Sequence, residues 1–141
     1  MNYATQQDII DRYGENLLWT IATLPADEVN DERLDDVGIE KALSDASSEC
    51  DVYLNARYEM PLPTTPPVLL GCCVDIAVYN LATGPAQSDD ITKRYDRAVK
   101  LLERIAKGTA DLGLPKAQKP APGGGAGFVQ DGRNDFGNVW P

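Results

Sequence analysis

A chain of 141 residues with 43% hydrophobic content carries enough apolar material for one ordinary domain with its own core, which excludes wholesale disorder. It contains no histidine, so a Ser-His-Asp or Cys-His pair, an imidazole general base and an imidazole zinc site are all excluded. A formal net charge of −9 argues against a nucleic-acid gripper, which needs a basic face to neutralise phosphates.

The N-terminus shows no charged leader followed by an apolar stretch, and no run of 18 apolar residues occurs. The expectation is a soluble protein made in a cytoplasm. Thr5 reads as a helix N-cap, with Asp8 supplying a carboxylate near the helix start. Ile9, Ile10 and Tyr13 form an apolar stripe, and Gly14 stops the turn. A second short helix is expected over 15–22, carrying Leu17, Leu18, Trp19 and Ile21.

Residues 24–36, LPADEVNDERLDD, read as a solvated acidic loop containing Asp27, Glu28, Asp31, Glu32, Asp35 and Asp36. The calcium-loop template fails here. From Asp27 its third position is Val29; from Asp31 that position is Arg33, and the required glycine is Asp36. Over 27–51, ten carboxylates against Arg33 and Lys41 leave a local charge of −8.

From Val37 to Tyr58, the residues Ile39, Ala42, Leu43, Ala46, Cys50, Tyr53, Leu54 and Arg57 recur at steps of three and four, the signature of an amphipathic helix. Pro61, Pro63, Pro66 and Pro67 then forbid helix and predict a stiff extended strap, with Pro67 suited to the first turn of the next helix. That helix, about 67–82, is apolar nearly all round and must be central or be completed by a neighbouring subunit. Gly84-Pro85 ends the segment. Ser88 caps a last long helix that runs to Lys107 and stops at Gly108. Its cations, Lys93, Arg94, Arg97, Lys100, Arg104 and Lys107, oppose the acidic window in sign. Internal pairing and steering between copies both remain open.

Asp75 is the single acid in the central helix, and a lone carboxylate there needs a partner. Arg57, at the end of the preceding helix, is the first choice, with Arg12 and Arg94 in reserve. Breaking a fully buried pair costs about 3–5 kcal/mol. Cys50, Cys72 and Cys73 lack zinc-site spacing and read as reduced core residues, so no metal or cofactor is expected.

Beyond Pro115 the chain is rich in Pro and Gly. The run at 123–127 lacks the lysine and hydroxyl of a phosphate loop, and no strand precedes it. It reads as a linker leading to Phe128, Val129, Phe136, Val139 and Trp140, a docking arm that orders on a partner. The expected organisation is therefore an all-α helical bundle over 1–115 and an extended arm over 116–141.

Four stretches, YATQQDIIDRYGE at 3–15, YLNARYEMPLP at 53–63, PPVLLGCCVDIAVYNL at 66–81 and RYDRAVKLLERIAKGTADLGL at 94–114, resemble the Mu-like prophage family of small virion neck proteins. Their order and spacing match over about 1–115, with the arm outside the likeness and the acidic loop a variable part of it. The resemblance implies a head–tail connector, or head-completion adaptor, and no catalytic residues. Such proteins form a ring, usually of twelve copies, beneath the portal of a tailed phage, extend the DNA channel and dock the tail-terminator or another neck protein. The acidic loop then suits a lumen that double-stranded DNA passes without binding. The arm suits a grip on the portal. The expected location is the virion neck, after assembly in the host cytoplasm, with no membrane partner. The competing expectation is a cytoplasmic helical interaction module that binds one partner through its arm.

Overall fold

The structure, a computed structural model, describes residues 2–117, and within them the chain is all-α. Five α-helices follow one another: α1 (Gln6–Tyr13), α2 (Glu15–Ile21), α3 (Asp36–Leu54), α4 (Pro67–Leu81) and α5 (Asp89–Lys107). Each start carries the local chemistry expected of it. Thr5 and Asp8 form a reciprocal capping box at α1, and the Ser88 hydroxyl accepts from the Ile91 N–H at α5. Pro67 opens α4, where a missing N–H costs nothing. Gly108, with φ 91°, closes α5 in the left-handed conformation that other residues resist.

The core follows from α4. Leu69, Cys72, Cys73, Val74, Ile76, Ala77 and Val78 are all buried, so this helix is covered on several sides. Helices α3 and α5 pack against it and, less extensively, against each other, while α1 lies over α3 and α4. Helix α3 contributes Ile39, Leu43, Ala46, Cys50 and Leu54, and α5 contributes Ile91, Ala98, Leu102 and Ile105. Among the described residues no helix is long and apolar enough to cross a membrane.

Two local features differ from expectation. The acidic segment is closed at its base by a small antiparallel ladder, β1 (Thr23–Leu24) against β2 (Arg33–Leu34), so the free loop is shorter than 24–36. Helix α3 ends at Leu54 rather than Tyr58. The cause is distant in sequence. Tyr58 leaves the helix to pair with Lys116, through Glu59 N–H to Pro115 O at 3.2 Å and Ala117 N–H to Arg57 O at 2.9 Å. The proline strap thus starts as an edge that holds residues 115–117 against the bundle, with Tyr58 and Leu62 turned into the core.

Candidate functional site

Asp75 stands on the face of α4 that α1 crosses. Tyr13 Oη donates to its Oδ1 at 2.7 Å, and Arg12 Nη2 lies 3.9 Å from its Oδ2. The Arg94 guanidinium caps the Tyr13 ring at 4.7 Å from the centroid. Gly71, one turn earlier on α4, leaves room for this: a Cβ there would lie 3.3 Å from the Arg12 guanidinium. Burial pushes the Asp75 carboxyl above the usual range, against the downward pull of Tyr13, Arg12, Arg94 and Arg97. The Asp75 side chain is 13% exposed and that of Arg12 is 42% exposed, so the pair is a surface-to-core contact. Its effect is to fasten α1 across α4 and α5.

Arg57, the expected partner of Asp75, is used elsewhere. Because α3 stops early, its side chain turns to the C-terminus of α5, where Nη1 donates to Ile105 O at 3.2 Å and Ala110 O at 3.3 Å. A guanidinium there satisfies carbonyls left over at the helix end and complements the negative end of the dipole. Arg12, one of the two reserves, takes the pairing role. Tyr13 was legible only as an apolar position; its hydroxyl is the donor that periodicity does not reveal.

A second polar clamp was not foreseen. Tyr58 Oη donates to Asp111 Oδ1 at 3.1 Å and accepts from Leu112 N–H at 2.8 Å. Asp111 also accepts from Gly113 N–H at 2.8 Å and pairs with Lys116 at 2.9 Å. The Gly113 N–H and Lys116 hold its carboxyl down to about 2.

The six acidic positions divide by role. Asp27 folds the loop on itself, its Oδ1 accepting from Val29 N–H at 2.8 Å and Asn30 N–H at 2.6 Å. Glu28, Asp31 and Glu32 are exposed. Asp35 is the N-cap of α3, accepting from Gly38 N–H at 3.0 Å, and Asp36 opens the first turn, where a negative charge suits the dipole. The three cysteines are free thiols in the core, and burial pushes Cys72 up to about 11. Phe128, Val129, Phe136, Val139 and Trp140 lie outside the described residues.

The charged face of α5 points outward. Lys93, Arg97, Lys100, Arg104 and Lys107 are exposed, and a hollow of about 580 Å³ runs between Arg97, Lys100, Leu101, Glu103, Arg104 and Lys107. Among the described residues no salt bridge joins this helix to the acidic window; its one ion pair is local, Arg94 to Asp90 at 3.2 Å.

Comparison with known proteins gives this arrangement a context. The chain is 38% identical over 112 residues to the Mu-like prophage FluMu protein gp36 of Haemophilus influenzae, covering 79% of this chain and 76% of that one. It is 37% identical over 125 residues to gene product J of Escherichia phage Mu, covering 88% of this chain and 85% of that one. The family described as Bacteriophage Mu, Gp36 matches residues 3–131, which carries the likeness past the expected limit near 115 and through Phe128 and Val129. The chain belongs to the Bacteriophage Mu Gp36 family.

Proposed function

We propose that this protein is a structural component of a tailed-phage particle, a head–tail connector that assembles as a ring below the portal, extends the DNA channel and docks the tail or the next neck protein. The observation that carries the reading is the match to a phage Mu protein and a Mu-like prophage protein over most of the length of each. The architecture supports it: a small rigid bundle with charged outer faces suits repeated packing side by side. No catalysis is assigned. In this reading the loop with Asp27, Glu28, Asp31 and Glu32 lines the channel, where like charge keeps DNA moving, and the arm beyond residue 117 reaches the portal or a neighbouring subunit. Disrupting the gene in an inducible prophage tests it. Separate DNA-filled heads and finished tails are expected in the lysate. Joined, infectious particles lacking this chain would overturn the proposal. A change in gene expression or lysis with normal particles would point instead to an interaction module.

A further inference from the structure

Helix α5 has two faces of opposite character. Ile91, Ala98, Leu102 and Ile105 enter the core. On the other side Lys93, Arg97, Lys100, Arg104 and Lys107 recur at steps of four and three, which places them on one outward stripe. Among the described residues, the 580 Å³ hollow on this stripe, and a second of 380 Å³ around Lys93, Asp96, Arg97 and Lys100, are lined by α5. Leu101 supplies an apolar floor between the long basic side chains.

Helix α3 carries the opposite charge at its start: Asp36 and Glu40 are exposed one turn apart, with Val37 81% exposed between them. Asn2 donates to Glu40 at 2.7 Å, and the neighbouring Lys41 is paired with Asp45 at 3.3 Å. Within one chain no salt bridge among the described residues links the two surfaces.

We infer that the basic face of α5 on one copy receives the exposed Asp36, Val37 and Glu40 surface of α3 from a second copy, head to tail. Lys100, Arg104 and Lys107 then face the two carboxylates, and Val37 covers Leu101. Two different patches meeting in this way form a heterologous contact, the type that propagates and closes into a ring. The inference rests on the connector reading for its biological setting and on charge complementarity for its residues. DNA is the poorer fit to the same face, because Asp96 and Glu103 interrupt the stripe and the whole chain is at −9. From Lys93 to Lys107 the stripe is about 21 Å long and one helix wide, roughly 200 Å², well under the ~800 Å² per partner of a standard interface. A single contact is therefore weak and salt-sensitive, and trapping it suits the test better than isolating a dimer.

The experiment is zero-length carbodiimide cross-linking of the full-length protein, mixing isotopically heavy and light copies so that only links between copies are counted. Expected are heavy–light links from Lys100 or Lys107 to Asp36 or Glu40, falling by about tenfold near 1 M salt, where screening acts over about 3 Å. A Lys100→Glu/Arg104→Glu variant and an Asp36→Lys/Glu40→Lys variant each lose cross-linked dimers while staying folded by circular dichroism, with only the small loss of stability that reversing a charge at a helix end brings. Mixed together they regain them, because both reversed pairs then match. Inter-copy links that persist in each variant, mixing that restores nothing, or no heavy–light links at all would overturn the inference. So would loss of binding to duplex DNA on reversing α5 with self-linking unchanged, which would assign the face to DNA. If gene disruption separates heads from tails while these links are absent, the connector reading stands and this interface falls. If the links hold while particles are normal, the interface stands without the connector.

Discussion

Replacing Asp75 with alanine removes the acceptor for Tyr13 Oη and, among the described residues, the one carboxylate within 4 Å of Arg12. The hydrogen bond to a charged acceptor contributes about 1.5–3 kcal/mol. The Arg12 contact, at 3.9 Å with a side chain 42% exposed, adds about 0.5 kcal/mol after solvent screening. Against these stands the cost of holding an ionised carboxylate in a largely buried place, which alanine relieves. The net loss is about 1–2 kcal/mol, below the 3–5 kcal/mol of a fully buried pair, because water reaches Arg12. For a domain of this size that lowers Tm by about 4–8 °C. Asparagine keeps an acceptor for Tyr13 without the charge, so Asp75→Asn should stay near wild type. The pH dependence separates the causes. Asp75 has its folded pKa raised by burial, so the folded state holds its proton more tightly than the unfolded chain. Wild-type stability from this group is therefore greatest at acid pH and declines as pH rises from about 4. Thermal melts followed by circular dichroism should show Asp75→Asn gaining on wild type over that rise. If wild type gains instead, attraction to Arg12, Arg94 and Arg97 outweighs burial and the reasoning is wrong. An unchanged Tm for Asp75→Ala would remove the clamp itself.

Three further perturbations test the local chemistry. Arg57→Ala should cost about 1–2 kcal/mol by uncovering the Ile105 and Ala110 carbonyls, with amide exchange accelerated in the last turn of α5 before any other helix. At the start of α3, Asp35→Ala should cost about 1 kcal/mol as a lost cap. Gly38→Ala should bring little net change, because its Cβ would displace the Asp35 carboxylate from the cap while gaining about 1 kcal/mol of helix propensity, and denaturant melts should show the same change stabilising once Asp35 is alanine. Asp111, held down to about 2, contributes stability that is full above about 4 and is lost as pH falls between those values, so Asp111→Asn should flatten acid-denaturation curves in that window.

Helix starts were readable because each is local: Thr5, Ser88 and Pro67 act within a turn of their own position. The central place of α4 was readable because an all-apolar helix has nowhere else to go. The end of α3 was hidden, since it is set by Lys116 and by the α5 C-terminus, more than forty residues away. The same distance hid the partner of Asp75. Arg57 is nearer along the chain, but the crossing of α1 over α4, a tertiary fact, brings Arg12 and Tyr13 to the carboxylate. The ladder of β1 and β2 left no alternation to detect because each strand is two residues long. The charge contrast between 27–51 and α5 was visible from composition. That the two do not pair internally among the described residues required the fold.

The most direct test of the connector reading is cryo electron microscopy of purified particles whose copies of this chain carry a small internal label. Labelled density is expected in a closed ring between portal and tail, with the loop at Asp27–Glu32 toward the channel and α5 of each copy against α3 of the next. A neck fully accounted for by other proteins, with the label absent from the particle, would contradict it.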